Sequence, residues 1–362
     1  MLPFARSSLT RRQFLSLAAV TAGSLALAGC QLGVQQSVTA PPVLTPAATP
    51  APSATAISAA QLDRLVLKGT PGPLTIPLAR AAQAAALQAL VKEISFSTWK
   101  TPDELRADVT SGKIHVATGT SNIAANLYTR GLPVRLLVVT MVQGMFSLMT
   151  LDPSINSWGD LKGRPLALAY KGDLPDLIFR YLAKANGLSP DADLKMQYTA
   201  TPAETMQMLL AKRVEVAMVA EPQSTAAETR AQQSGLTVRR FIDLTDEWGK
   251  VAGTSRLPMG ATIVVNSLVE NHRPVVSALE DALLEATAWT GQNPAEAAKL
   301  GAEKLGLEAP VLEKSLAHLK LEAVKAPNAR RELESFFTRL KALNPEVIGG
   351  DLPNEGFYYQ ES

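Results

Sequence analysis

Residues 209–223 read LLAKRVEVAMVAEPQ. The spacing predicts a helix that ends near Lys212, then a short apolar strand over 214–219 with no polar break wide enough for another element. The strand stops at Ala220-Glu221-Pro222, where a new helical pattern begins. Glu221 is therefore expected at the C-terminal end of a strand. In an open α/β sheet that edge is where ligands bind.

Working outward, residues 101–117, TPDELRADVTSGKIHVA, align without a gap on residues 201–217, TPAETMQMLLAKRVEVA. Thr101, Pro102, Glu104, Val116 and Ala117 recur as Thr201, Pro202, Glu204, Val216 and Ala217. The chain reads as one strand–helix–strand unit used twice, once in each of two lobes. Residues 118–122 then correspond to 218–222. Strands are expected at 64–68, 94–98, 115–118, 134–140, 146–150, 165–170, 194–198, 214–219, 238–241 and 261–265. Helical patterns lie between most of them, which predicts an α/β fold with mainly parallel sheets. From Pro294 onward the pattern is helical throughout, and this tail is expected to pack on the first lobe.

The helix, the strand and its Glu-Pro ending, preceded by WGDLKGRPLALAY at 158–170, resemble the solute-binding proteins of ABC importers. The closest likeness is to the nitrate, sulfonate, taurine and thiamine-precursor group (NMT1/THI5-like). The resemblance implies a type II periplasmic-binding-protein fold: two Rossmann-like lobes with a ligand cleft between them. The chain is then expected to cross near Leu151 and near Asn266. That gives a first lobe of 61–150 with 266–362 and a second of 151–265. The resemblance also implies a small-molecule ligand, ABC permease subunits as partners, a monomer, no cofactor and no catalysis. The competing reading keeps the fold but makes the protein a sensor or interaction subunit.

The N-terminus carries an address. Residues 10–15, TRRQFL, resemble a twin-arginine (Tat) export signal, and the apolar run that follows, 14–28, spans 15 residues. That falls short of the roughly 20 needed to cross a bilayer, so residues 1–30 read as a signal peptide. The run ends Leu27-Ala28-Gly29-Cys30, which resembles a bacterial lipobox. Cys30 is the expected lipidation site, and the protein is expected at the cell membrane, facing the periplasm or cell exterior. It is the sole Cys of the chain, which excludes a disulfide, a Cys-ligated metal and a catalytic Cys. Residues 31–60, rich in Ala, Pro, Thr and Ser, read as a disordered tether.

Charge says little about partners. The chain has 35 Lys and Arg against 33 Asp and Glu; without the three Arg of residues 1–29 the basic count is 32. No basic run is present, so nucleic-acid binding has no electrostatic footprint. No nucleophile elbow, phosphate loop or zinc motif occurs, and the three His are far apart.

The candidate ligand residues sit at expected strand ends. Thr70 lies in GTPGP after the first strand, a loop that either approaches a ligand or simply turns. Trp99 follows the second strand, as a stacking surface or as core. Thr118, Thr120, Ser121 and Asn122 follow the third, as a hydroxyl cluster or a helix cap. Gln143 follows the fourth. Lys171 and Asp173 precede a helix in the second lobe, and Glu221 completes the set. Asp173, Asp176 and Glu221 at helix starts would repel an anion. The expected ligand is therefore neutral or amine-bearing, stacking on Trp99 and bonding to Glu221.

If Cys30 is lipidated, the protein partitions into a detergent phase and takes up a fatty-acid label. Cys30→Ala abolishes both. Equal membrane retention of the variant would rule the lipid anchor out.

Overall fold

The computed structural model describes residues 61–361. The signal, Cys30 and the tether lie outside the described residues. The strands, in chain order, are β1 (Leu62–Gly69), β2 (Val91–Thr98), β3 (Val116–Thr120), β4 (Val134–Gln143), β5 (Phe146–Thr150), β6 (Pro165–Ala169), β7 (Lys195–Thr199), β8 (Val216–Ala220), β9 (Arg239–Asp243), β10 (Leu257–Val265) and β11 (Lys320–Lys325). They form a six-stranded sheet, β11-β4-β10-β3-β1-β2, and a five-stranded sheet, β7-β6-β8-β5-β9.

The two sheets follow one plan. In the first, β1 lies parallel between β2 and β3; in the second, β6 lies parallel between β7 and β8. In each sheet an antiparallel strand is inserted between two others: β10 between β3 and β4, and β5 between β8 and β9. Both are laid down as the chain changes lobe. Only Gly144 and Met145 separate β4 from β5, and β10 follows the helix Leu244–Ala252 of the second lobe.

Two segments therefore lie in a different lobe from the one expected. Residues 146–150 form β5 of the five-stranded sheet, and residues 261–265 belong to β10 of the six-stranded sheet. The crossings fall at 144–145 and between Ala252 and Leu257, not near Leu151 and Asn266. An apolar run announces a strand, but its pairing partner is decided in space. The strand β11, KLEAVK, was hidden in a stretch read as helix. Leu, Glu, Ala and Lys are good helix formers, yet this segment pairs antiparallel with β4 as a charged edge strand.

The repeat found in the sequence is also a repeat in space. The helix Pro102–Thr110 joins β2 to β3, and Pro202–Leu210 joins β7 to β8. Both open with a variant of the capping box, in which the Glu reaches the amide one residue before the N-cap threonine. The Glu104 amide donates to Thr101 Oγ1 at 3.2 Å while Glu104 Oε2 accepts from the Lys100 amide at 2.9 Å. In the second copy, the Glu204 amide donates to Thr201 Oγ1 at 3.2 Å, and Glu204 Oε2 accepts from the Ala200 amide at 3.0 Å.

Strand alternation sorts the core. In the second sheet Leu148, Leu166, Leu168, Val216 and Met218 join the large core cluster that also fills the first lobe. Their neighbours Met149, Ala167, Ala217 and Val219 form a separate cluster on the other face, under Met206, Leu209 and Ala227. The C-terminal helix Ala326–Lys341 buries Leu333, Phe336, Phe337 and Leu340. It does not stay with the first lobe alone: Phe336 packs edge-on to Trp248 at 5.4 Å, and Arg339 Nε donates to Tyr181 Oη at 3.0 Å. Both partners belong to helices of the second lobe. Among the described residues, no helix is long and apolar enough to cross a membrane.

Candidate functional site

Where the C-terminal ends of β1, β6 and β8 face one another across the crossings, the two lobes border a partly open cavity of about 170 Å³. Thr70, Gly72, Pro73, Leu74 and Met259 come from the first lobe. Leu168, Ala169, Tyr170, Pro175, Pro202, Met218, Ala220 and Glu221 come from the second, and Met145 and Phe146 from the crossing into β5. The wall is mostly apolar because strand ends of both sheets turn their core-facing side chains into it. Leu168 and Met218 line it from the same face that packs the large core.

Of the ten candidate ligand residues, Thr70 and Glu221 line this cavity. The Thr70 amide donates to the Thr118 carbonyl at 3.2 Å, and its hydroxyl lies 3.3 Å from that of Thr75. The glycine beside it is required by packing rather than by a ligand: a Cβ on Gly69 would meet Thr75 Cγ2 at 2.1 Å.

Glu221 is at the strand end as expected, but its carboxylate is not free. It is fully buried and ion-paired with Arg240, and its Oε2 accepts from Thr225 Oγ1 at 2.9 Å. Arg240 in turn donates to Thr225 Oγ1 at 3.0 Å and to both oxygens of Glu228 at 2.9 Å. Burial pulls the Arg240 guanidinium down, but Glu228 and Glu221 outweigh it and hold it above its ordinary value. The hydrogen bond expected from a ligand to Glu221 is thus already made by the protein. Arg240 carries no signal in the sequence, because only the pairing of β9 with β5 brings it to Glu221.

Trp99 is core. It is 3% exposed, its Nε1 donates to the Thr118 carbonyl at 3.1 Å, and its ring lies on Gly119, where a Cβ would meet Cζ2 at 2.8 Å. No ligand can stack on it in this arrangement. Thr118 is buried, its hydroxyl 2.8 Å from that of Thr262 on β10. Ser121 is buried and donates to the Pro258 carbonyl at 2.7 Å. These residues hold the first sheet together beneath the cleft. Thr120 and Gln143, half-buried at strand ends, line no part of the cavity.

Asn122, Lys171 and Asp173 meet elsewhere, in a second, more polar recess of about 290 Å³ that also includes Arg106, Asn126 and Glu346. Asp173 caps the helix Leu174–Ala185 by accepting from the Leu174 amide at 2.7 Å, and it also accepts from Asn122 Nδ2 at 3.1 Å. That bond, with Asn344 Nδ2 donating to the Gly172 carbonyl at 3.1 Å, ties the lobes together beside the cavity. Lys171 Nζ lies 5.3 Å from the centre of the Tyr198 ring. His115 is a half-buried strap: its Nδ1 accepts from the Val66 amide at 3.0 Å, and burial, with His272 and Arg64 nearby, pushes its pKa down. Among the described residues no group of three or more His, Cys, Asp or Glu is placed to hold a metal.

The residue that sequence reasoning missed is Tyr170. It follows β6 directly, with φ 62°, a left-handed backbone rare for a side chain of this size. At 44% exposed it is one of the two large apolar-bodied side chains left open to solvent among the described residues. Its partial burial, with the Asp173 and Glu204 carboxylates nearby, raises its pKa, so the phenol stays protonated. Met145, Phe146, Met218 and Met259 were also missed as wall residues. Their signal was the apolar strand end itself, which reads as core.

A fold with two α/β lobes, each completed by a strand from the crossing chain and closing on a cavity at the strand ends, is that of the type II periplasmic binding proteins. The chain belongs to the NMT1/THI5-like family, whose defining pattern matches residues 100–297, more than half of it. Solved structures share the fold. An ABC transporter protein from Parabacteroides distasonis is 22% identical, with a TM-score of 0.68, over 82% of this chain and 99% of that one. The periplasmic aliphatic sulphonate binding protein SsuA of Escherichia coli is 18% identical, with a TM-score of 0.65, over 83% and 93%. The periplasmic nitrate-binding protein NrtA of Synechocystis PCC 6803 is 14% identical, with a TM-score of 0.59, over 78% and 82%. No curated protein sequence matches the chain.

The Glu221–Arg240 pair gives a direct test. Arg240→Met leaves a buried carboxylate without its partner and is expected to cost about 3–5 kcal/mol of unfolding free energy. Adding Glu221→Gln to the same chain restores part of that loss. Denaturant unfolding of the two variants checks both values; a change below about 1 kcal/mol for Arg240→Met, the scale of a solvated pair, would mean that Glu221 is free to meet a ligand.

Proposed function

We propose that the protein is an extracytoplasmic receptor of an ABC importer, a monomer anchored to the membrane through a lipid on Cys30. It traps one small solute between its lobes and presents the closed form to the permease. The observation that carries this reading is the cavity at the strand ends, built from both lobes and from the segment where the chain crosses. A solute there contacts both lobes at once and so favours the closed arrangement over an open one, which is the condition for a ligand to drive closure. Family membership and the shared fold support the same reading.

Binding without turnover fits the chemistry of the cavity. Its wall holds no nucleophile paired with a base, and its one carboxylate is committed to Arg240 and Thr225. General acid–base chemistry needs a group poised to exchange a proton with the ligand.

Native mass spectrometry of protein purified without unfolding tests the proposal. One small molecule per chain is expected, released intact on denaturation and absent from Ala220→Trp, which fills the cavity. Release of a chemically altered product would instead indicate an enzyme.

A further inference from the structure

We propose that the solute held between the lobes is uncharged and mainly apolar, of about the size of one aromatic ring with one or two hydroxyl-bonding groups. This names the solute class of the receptor proposed above and rests on that reading.

Size sets the first limit. A closed cavity of about 150 Å³ lined by aliphatic and aromatic side chains holds a benzene; this one, open to solvent at Tyr170, offers about 170 Å³ between the lobes.

Charge sets the second. Among the described residues no Lys, Arg or His lines the wall, so an anion finds no countercharge there. Helix N-termini are the other common means of holding an anion, and at the two second-lobe helices that begin beside Tyr170 and Ala200 the capping amides are already used. Two second-lobe helices reach the wall through Pro175 and Pro202, and the first-lobe helical turn reaches it through Pro73; none of the three has an N–H. The donors around the second-lobe pair are taken: the Gly172 amide by Asp176 Oδ2 at 2.8 Å, the Leu174 amide by Asp173, and the Ala200 and Glu204 amides by the capping box. An amine fares no better. The one carboxylate in the wall, Glu221, is neutralised by Arg240 and bonded by Thr225. A cation entering would have to displace a guanidinium that also serves Glu228. Burying an unpaired charge among Leu74, Phe146, Leu168, Met218 and Met259 carries a large desolvation cost that nothing in the wall offsets.

What remains is hydroxyl chemistry. Tyr170, kept protonated, and Thr70 each donate or accept one hydrogen bond, and neither discriminates by charge. The thioethers of Met145, Met218 and Met259 add soft, polarisable contact suited to a ring.

Benzoate, benzamide and benzamidine have nearly one shape and carry charges of opposite sign around a neutral member. Titrated calorimetrically into the detergent-purified full-length protein, stripped of carried-over solute, benzamide is expected to bind at least roughly tenfold more tightly than either ion. Methanesulfonate and nitrate are expected not to displace it. Tyr170→Arg, a change at an exposed position of the wall, is expected to move the preference to benzoate by a similar factor. Equal or tighter binding of benzoate or benzamidine to the unaltered protein, displacement by methanesulfonate or nitrate, or no benzamide binding at millimolar concentration overturns the inference. An ion bound with the lobes closing would overturn it and leave the receptor reading standing. Failure of all three probes, together with an empty native mass spectrum, would remove both.

Discussion

Each sheet is completed by a strand that the chain lays down in passing between the lobes, and the rest of the structure depends on that pairing. In the first sheet β10 fills the gap between β3 and β4; in the second, β5 fills the gap between β8 and β9. Backbone hydrogen bonds along these strands anchor the crossings in the middle of both sheets. The strand ends of the two lobes are thereby held face to face. Met145 and Phe146 enter the cavity from one crossing and Met259 from the strand that follows the other. A ligand between the lobes necessarily touches the crossing strands.

That constraint explains how the polar groups at the cleft are used. Most of the hydroxyls and carboxylates near the strand ends are consumed in holding the frame. Thr118 and Ser121 bind β10 and the segment entering it, Trp99 is tied to the Thr118 carbonyl, and Asp173 and Asp176 close a helix start. Glu221 is matched by Arg240, a residue brought to it by the pairing of β9 with β5. The surface left over for a solute is correspondingly apolar. A fold shared with sulphonate- and nitrate-binding proteins thus presents here a wall without a cationic side chain.

Much of the architecture was legible in the chain. The hundred-residue repeat was detected because the same capping box, helix and strand recur with the same residue types at the same spacing, and each is a local device that a sequence records directly. Glu221 was placed correctly at its strand end for the same reason. Other features depended on partners distant in sequence. Residues 146–150 and 261–265 read as strands, but their sheets differ from those expected, because an apolar run does not name its neighbour. Lys320–Lys325 was missed because its residues favour helix and only the open edge of β4 makes it a strand. The site was the least legible part. A buried Trp99 and a neutralised Glu221 look, in sequence, like an aromatic platform and a free acid. Tyr170 looked like the last residue of a strand, and its left-handed backbone became visible only in the fold.

The central claim is that a solute binds between two lobes that move toward each other around fixed crossing strands. Lys100 and Ala200 occupy equivalent exposed positions on the two rims, one residue before each capping threonine. Spin labels placed there, in a chain whose Cys30 is lipidated or replaced, report the rim-to-rim distance directly. The account predicts a shorter and narrower distance distribution when the cavity is saturated with solute than when it is empty. An identical distribution in the two states, with binding demonstrated independently, would contradict it.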